Sequence, residues 1–155
     1  VRIARNDSSV RARKEAARRL AECRGRSATD ALLACALNDI VVVQVVALEA
    51  LTVHAHELSA ASIVPLLENK HSSVRMRAAE LLGEVGDASS VGALIAVLHD
   101  DAWVVRVSSA EALVKIGDPQ ALQPLRELRE HSGRFSRRGL DTMIFELESR
   151  TTKQR

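Results

Sequence analysis

Apolar and small residues fall at Val74, Ala78, Leu82 and Val85, intervals of four, four and three that place them on one face of an α-helix. A shorter stripe follows at Val91, Leu94, Val97 and Leu98, and the first pattern then restarts at Val105. The stretches VRMRAAELLGEVGD (74–87) and VRVSSAEALVKIGD (105–118) lie 31 residues apart; the same step reaches Val43 and Ala12 backward and Ser136 forward. Down this register stand Ala16, Ala47, Ala78 and Ser109; Leu20, Leu51, Leu82 and Leu113; and Leu32, Ile63, Leu94 and Leu125. A fixed period of this length marks units that cannot bury their apolar faces alone and must stack on one another.

The pattern predicts nine helices, roughly 8–24, 28–38, 40–55, 59–69, 72–85, 89–99, 103–116, 119–131 and 134–149. Gly86 and Gly117 stop the longer helix of their periods, Asp87 and Asp118 cap the next, and Pro119 sits where a first-turn proline is tolerated. Ile40 to Val46 (IVVVQVV) is β-branched enough to read as a strand. Its place in the register, continued by Ala47, Leu48 and Leu51 at helical spacing, argues for helix instead.

The pattern LxDxxxxVRxxAAExL followed by GD, present as LHDDAWVVRVSSAEAL and LENKHSSVRMRAAELL, resembles HEAT repeats, most closely the short 31-residue kind of bilin-lyase-like proteins. The resemblance covers almost the whole chain. It implies an all-α fold, a right-handed α-solenoid of about four and a half HEAT-like repeats, with residues 1–150 as a single domain and 151–155 as a polar tail. It also implies that the helices beginning "VR" line the concave surface and the shorter ones the convex. In the family an Asp ending one helix and an Arg six residues later form a polar ladder. Asp100 with Arg106 matches this fully, Asn69 with Arg75 and His131 with Arg137 keep the Arg, and Asn38 with Gln44 keeps neither charge, so the ladder is expected to weaken at the first interface. Function is not implied, because such repeats serve adaptors, enzyme subunits and nucleic-acid binders alike.

Charge changes the picture through its distribution. Residues 1–29 carry nine Arg or Lys against three acids, whereas residues 30–133 carry seven basic against fourteen acidic, a basic head before an acidic body. No apolar run approaches the roughly 20 residues of a membrane span. Two cysteines, Cys23 and Cys35, without paired spacing suit a reducing cytoplasm. An opening on Val1 rather than Met points to a piece of a longer protein.

Catalytic patterns are scarce: there is no phosphate-binding glycine loop, no HExxH, no nucleophile elbow and no Tyr. No cofactor, metal or catalytic residue is expected. His54 and His56 lie two apart on a helix and diverge, so His54, at the core position of Val85 and Ile116, reads as a packed histidine. Cys23 and Cys35 fall on core positions as well.

The outward face of the "VR" helices is more informative. It offers Val42, Val45, Val46 and Glu49 in the second, Met76, Arg77 and Glu80 in the third, and Trp103, Val104, Val107, Ser108 and Glu111 in the fourth. These form an expected partner-binding strip, apolar and bordered by the carboxylate column Glu49, Glu80 and Glu111, with Trp103 as anchor. Function is expected to be a protein-interaction scaffold or adaptor holding a protein or peptide segment in the concave groove. The alternatives are a bilin-type lyase or lyase subunit, and nucleic-acid binding through Arg11, Arg13, Lys14, Arg18, Arg19, Arg24 and Arg26. The last is the weakest fit because Glu15 and Glu22 interrupt that row. A homodimer covering the valine face satisfies the same physics.

Overall fold

The computed structural model describes residues 9–153, apart from the side chains of 134–136 and 153. Among these residues there is no strand. The first repeat consists of α1 (Val10–Leu20) and α2 (Arg26–Asn38). The second consists of α3 (Val41–Leu51), tightening into a 3-10 segment at Thr52–Glu57, and α4 (Ala60–Ile63), extended by Val64–Glu68. The third is α5 (Ser72–Val85) and α6 (Val91–Ala96), the latter flanked by 3-10 turns at Ala88–Ser90 and Val97–His99. The fourth is α7 (Trp103–Ile116) and α8 (Leu122–Glu130), entered through Pro119–Ala121; α9 (Arg134–Lys153) is the last helix. Helices α1, α3, α5, α7 and α9 pack each on the next as one layer, and α2, α4, α6 and α8 lie behind them as a second. This is the expected all-α repeat solenoid.

The repeating columns are its core. Val43, Val74 and Val105, then Leu51, Leu82 and Leu113, then Leu32, Ile63, Leu94 and Leu125 are all fully buried. The β-branched run is helical because burial overrides its propensity: Val43, Val46, Ala47, Leu48, Ala50 and Leu51 are covered around most of the helix.

Helix ends depart from the expected bounds where cap chemistry changes between repeats. Gly86 and Gly117, at φ 69° and 79°, end α5 and α7 in the left-handed conformation, their N–H groups donating to Leu82 and Leu113 carbonyls. The equivalent positions in the first two repeats are Arg24 and Ala55, which adopt that conformation less readily. Helix α1 therefore stops at Leu20, not at 24, and α3 stops at Leu51, its continuation tightening into 3-10 geometry around His54. At its start α1 is capped by Ser9, whose hydroxyl accepts from the Ala12 N–H. At the other end α9 runs past 149 to Lys153.

Two small residues set the spacing between α5 and α7. A Cβ added at Gly83 would lie 2.9 Å from the Ala112 Cα, so glycine is required for the helices to come this close. Ser109 takes the place that Ala47 and Ala78 hold in earlier repeats, and its fully buried hydroxyl has no hydrogen-bond partner among the described residues. Ser109→Ala is expected to stabilise the fold by about 1 kcal/mol by removing that orphan group. Gly83→Ala is expected to destabilise it by about 1–3 kcal/mol through overpacking. Urea unfolding followed by helical circular dichroism measures both.

Candidate functional site

Arginine–aspartate forks tie the first repeat to the second and the third to the fourth. Arg13 on α1 grips Asp39 of the next repeat with two parallel bonds, Nε to Oδ2 at 2.8 Å and Nη2 to Oδ1 at 2.9 Å. Arg75 on α5 makes the same fork on Asp100, at 2.6 and 2.7 Å, and its Nη2 also reaches Asp101 at 2.7 Å. The remaining corner of Arg75, Nη1, donates to the Asn69 carbonyl of its own repeat. The rung at the first interface is thus present, contrary to expectation. The acid has moved one position, from Asn38 to Asp39, and the Arg comes from α1, 26 residues earlier, rather than from six residues on. Gln44 replaces the guanidinium in the second repeat and donates to the Ala36 carbonyl, while Lys70 stands where Asp39 and Asp101 stand elsewhere.

These rungs are largely shielded, with Arg75 and Asp100 side chains 13% and 8% exposed. The Arg75 hydrogen bond and charge, with the Ala102 N–H, hold the Asp100 carboxyl below its ordinary value against the opposing effect of burial. Burial pushes Asp39 upward, yet Arg13 and the Ile40 N–H outweigh it and the net shift is again downward.

On the outward face the expected carboxylate column is filled unequally. Arg77 bridges Glu49 of the preceding helix at 2.7 Å and Glu80 of its own at 2.8 Å. Ser108, in the register place of Arg77 one repeat later, turns its hydroxyl to Glu80 at 3.4 Å. The third member of this series is Gly139, which has no side chain, and Glu111 has no partner among the described residues. A Cβ at Gly139 would meet nothing within 4 Å.

That missing side chain leaves a recess of about 230 Å³ between α7 and α9. Trp103, Arg106, Val107, Ala110 and Glu111 form its α7 wall; Gly139, Leu140 and Met143 form the α9 wall; Leu128 and Ser132 close it from α8 and the turn behind. Of the residues expected in the binding strip, Trp103 (51% exposed), Val107 and Glu111 meet here, while Val104 is exposed beside Trp103. Val46 and Ser108 are buried, Val45, Met76, Arg77 and Glu80 are half-buried, and Val42 and Glu49 are exposed along α3. Arg106, Ser132, Gly139, Leu140 and Met143 were not among the expected residues. The signal for Gly139 and Ser132 is a break in a repeating column.

A protein-family comparison matches residues 60–140, just over half of the chain, to HEAT repeats. The chain belongs to the HEAT-repeat family. No curated protein matches it. Within this HEAT array His54 is buried, as expected, its Nε2 lying 3.3 Å from the Leu20 carbonyl oxygen, whereas His56 is exposed beside Glu57. Cys35 is buried, but Cys23 is exposed, a correction that follows from the early end of α1: it lies in the turn beyond the helix, its Sγ on the Arg19 carbonyl. A wider recess of about 590 Å³ runs along α1 between Val10, Arg11, Lys14, Glu15, Arg18 and Val42. Among the described residues no helix is long and apolar enough to cross a membrane.

The lowered Asp39 and Asp100 values fix a pH dependence for this HEAT array. Because the unfolded chain takes up protons more readily, ladder stabilisation is complete at neutral pH and is lost as pH falls below the ordinary Asp value of 3.8 through the depressed folded values. Thermal melts between pH 7 and pH 3 are expected to stay level above about pH 5 and fall below about pH 4. Asp100→Asn should lose about 3 kcal/mol at neutral pH and show a shallower acid decline.

Proposed function

We propose that this HEAT array is a protein-interaction module, and that the recess between α7 and α9 receives an apolar anchor side chain of a partner segment whose basic edge meets Glu111. The observation that carries this reading is the juxtaposition of a half-exposed Trp103, an apolar floor and a carboxylate, Glu111, without a partner among the described residues, at a place that Arg77 and Ser108 fill at the two preceding interfaces. Aromatic anchors beside a water-excluding pocket are the usual centres of binding energy. A volume of about 230 Å³ is below the roughly 300–1,000 Å³ of pockets for drug-sized ligands, so this recess suits one side chain of a polypeptide.

Two features turn the reading away from nucleic acid. Arg13 is committed to Asp39, and Arg19 is paired with Glu15 on the same helix at 3.0 Å. The basic head is thus interrupted by its own ion pairs, which leaves a weaker track for phosphates.

The groove can be tested with a random linear peptide library displayed on phage and panned against the immobilised chain. Enriched peptides are expected to share a Leu, Met or aromatic anchor and a nearby Lys or Arg. Gly139→Leu should raise the melting temperature, since an interior helix glycine costs about 1 kcal/mol, while abolishing their binding. Glu111→Gln should weaken it about tenfold, the value of a charge-assisted contact. Failure to enrich any peptide, or equal binding to the Gly139→Leu protein, would overturn the groove.

A further inference from the structure

The ladder described above has an open place in the same recess. Arg13 and Arg75 each present the Nε–Nη2 edge of the guanidinium to an aspartate of the following repeat. Arg106 holds the equivalent position on α7, and its Nη1 donates to the Asp100 and Asp101 carbonyls at 2.7 and 3.0 Å, much as Arg75 Nη1 does to Asn69. Its Nε–Nη2 edge has no acceptor among the described residues. The aspartate is missing because the following repeat places His131 and Ser132 where Asp100 and Asp101 stand one period earlier. Both side chains turn back onto their own helix, His131 to the Glu127 carbonyl and Ser132 to that of Leu128.

Ser132 and Arg106 both line the recess, so the space that a carboxylate fills beside Arg13 and Arg75 is open to a partner. At about 100° per residue along α7, Arg106 lies on one side of Trp103 and Ala110, and Glu111 on the other. The two charges therefore flank the apolar floor rather than neutralise each other across it, and no hydrogen bond or ion pair joins them among the described residues.

We propose that the partner segment carries an Asp or Glu which completes the ladder on Arg106 by the bidentate geometry of the two existing rungs. The inference rests on the groove reading above and adds the acid: the recognised segment bears an apolar anchor between a carboxylate, for Arg106, and a cation, for Glu111. A two-point fork gives direction as well as attraction, because a planar guanidinium edge accepts a carboxylate in one orientation. The carboxylate thereby fixes which way the segment lies across the groove.

The test uses the peptides enriched on the unaltered chain, each paired with a version whose acidic residue is changed to the amide. The expected result is an Asp or Glu at a constant distance from the anchor, with amide substitution weakening binding by about tenfold or more. Arg106→Gln should bind the acidic and amide peptides equally. Because Arg106 also braces its own loop, a second variant supplies the missing acid within the chain: Ser132→Asp should melt at a higher temperature and lose the preference for the acidic peptide. Enriched peptides that bind in the recess without a shared acid would overturn this proposal and leave the groove standing. So would an acid preference that survives both Arg106→Gln and Ser132→Asp. The absence of any peptide that Gly139→Leu excludes would remove the groove itself.

Discussion

A helix pair whose apolar surface extends beyond the face its members share cannot hide all of it within itself, and the whole structure follows from the need to hide the rest against a copy. Every column of the sequence is thereby assigned a neighbour one period away. Val, Leu and Ile columns meet as core, and charged columns meet as rungs, Arg13 on Asp39 and Arg75 on Asp100. Stability in such an array is close to a sum of nearest-neighbour terms. A substitution in one repeat is consequently answered in the next, and a position whose answer is missing stands out.

The interface between α7 and α9 is where two answers are missing together. Gly139 withholds the side chain that would face Glu111, and Ser132 withholds the carboxylate that would face Arg106. Either loss alone would be a small defect in an otherwise regular stack. Together they leave an acid, a base and an apolar floor bounding one recess, beside an exposed tryptophan. A site of this kind is made by subtraction from the repeat.

Much of the fold was legible because the register is ungapped. The order of the helices, the core columns and the helical state of the valine-rich run follow from the 31-residue step. Helix ends were less legible where Arg24 and Ala55 replace the glycine of later repeats, because a cap made of 3-10 turns leaves no single-residue signature; Cys23 left the core for that reason. The ladder was less legible because one-position shifts matter in a guanidinium fork: Asp39 beside Asn38 supplies a rung that the column of Asn38 alone does not show. Of the candidate site, Trp103, Val107 and Glu111 were readable as an outward face, but α9 supplies the opposite wall, where Leu140 and Met143 flank the space left by Gly139. Val46 and Ser108 show the converse limit: a position that faces outward on an isolated helix can still be covered by the neighbouring helix in the stack.

The two thiols divide this chain in a way that serves the experimenter. Cys23 is open in the native protein, and Cys35 is closed within the first repeat. A thiol reagent in excess should therefore label one site rapidly and the other at the rate at which that repeat opens. Because local opening and global unfolding have separate free energies in such arrays, the slow label reports the integrity of one end of the solenoid, independently of the end that carries the recess.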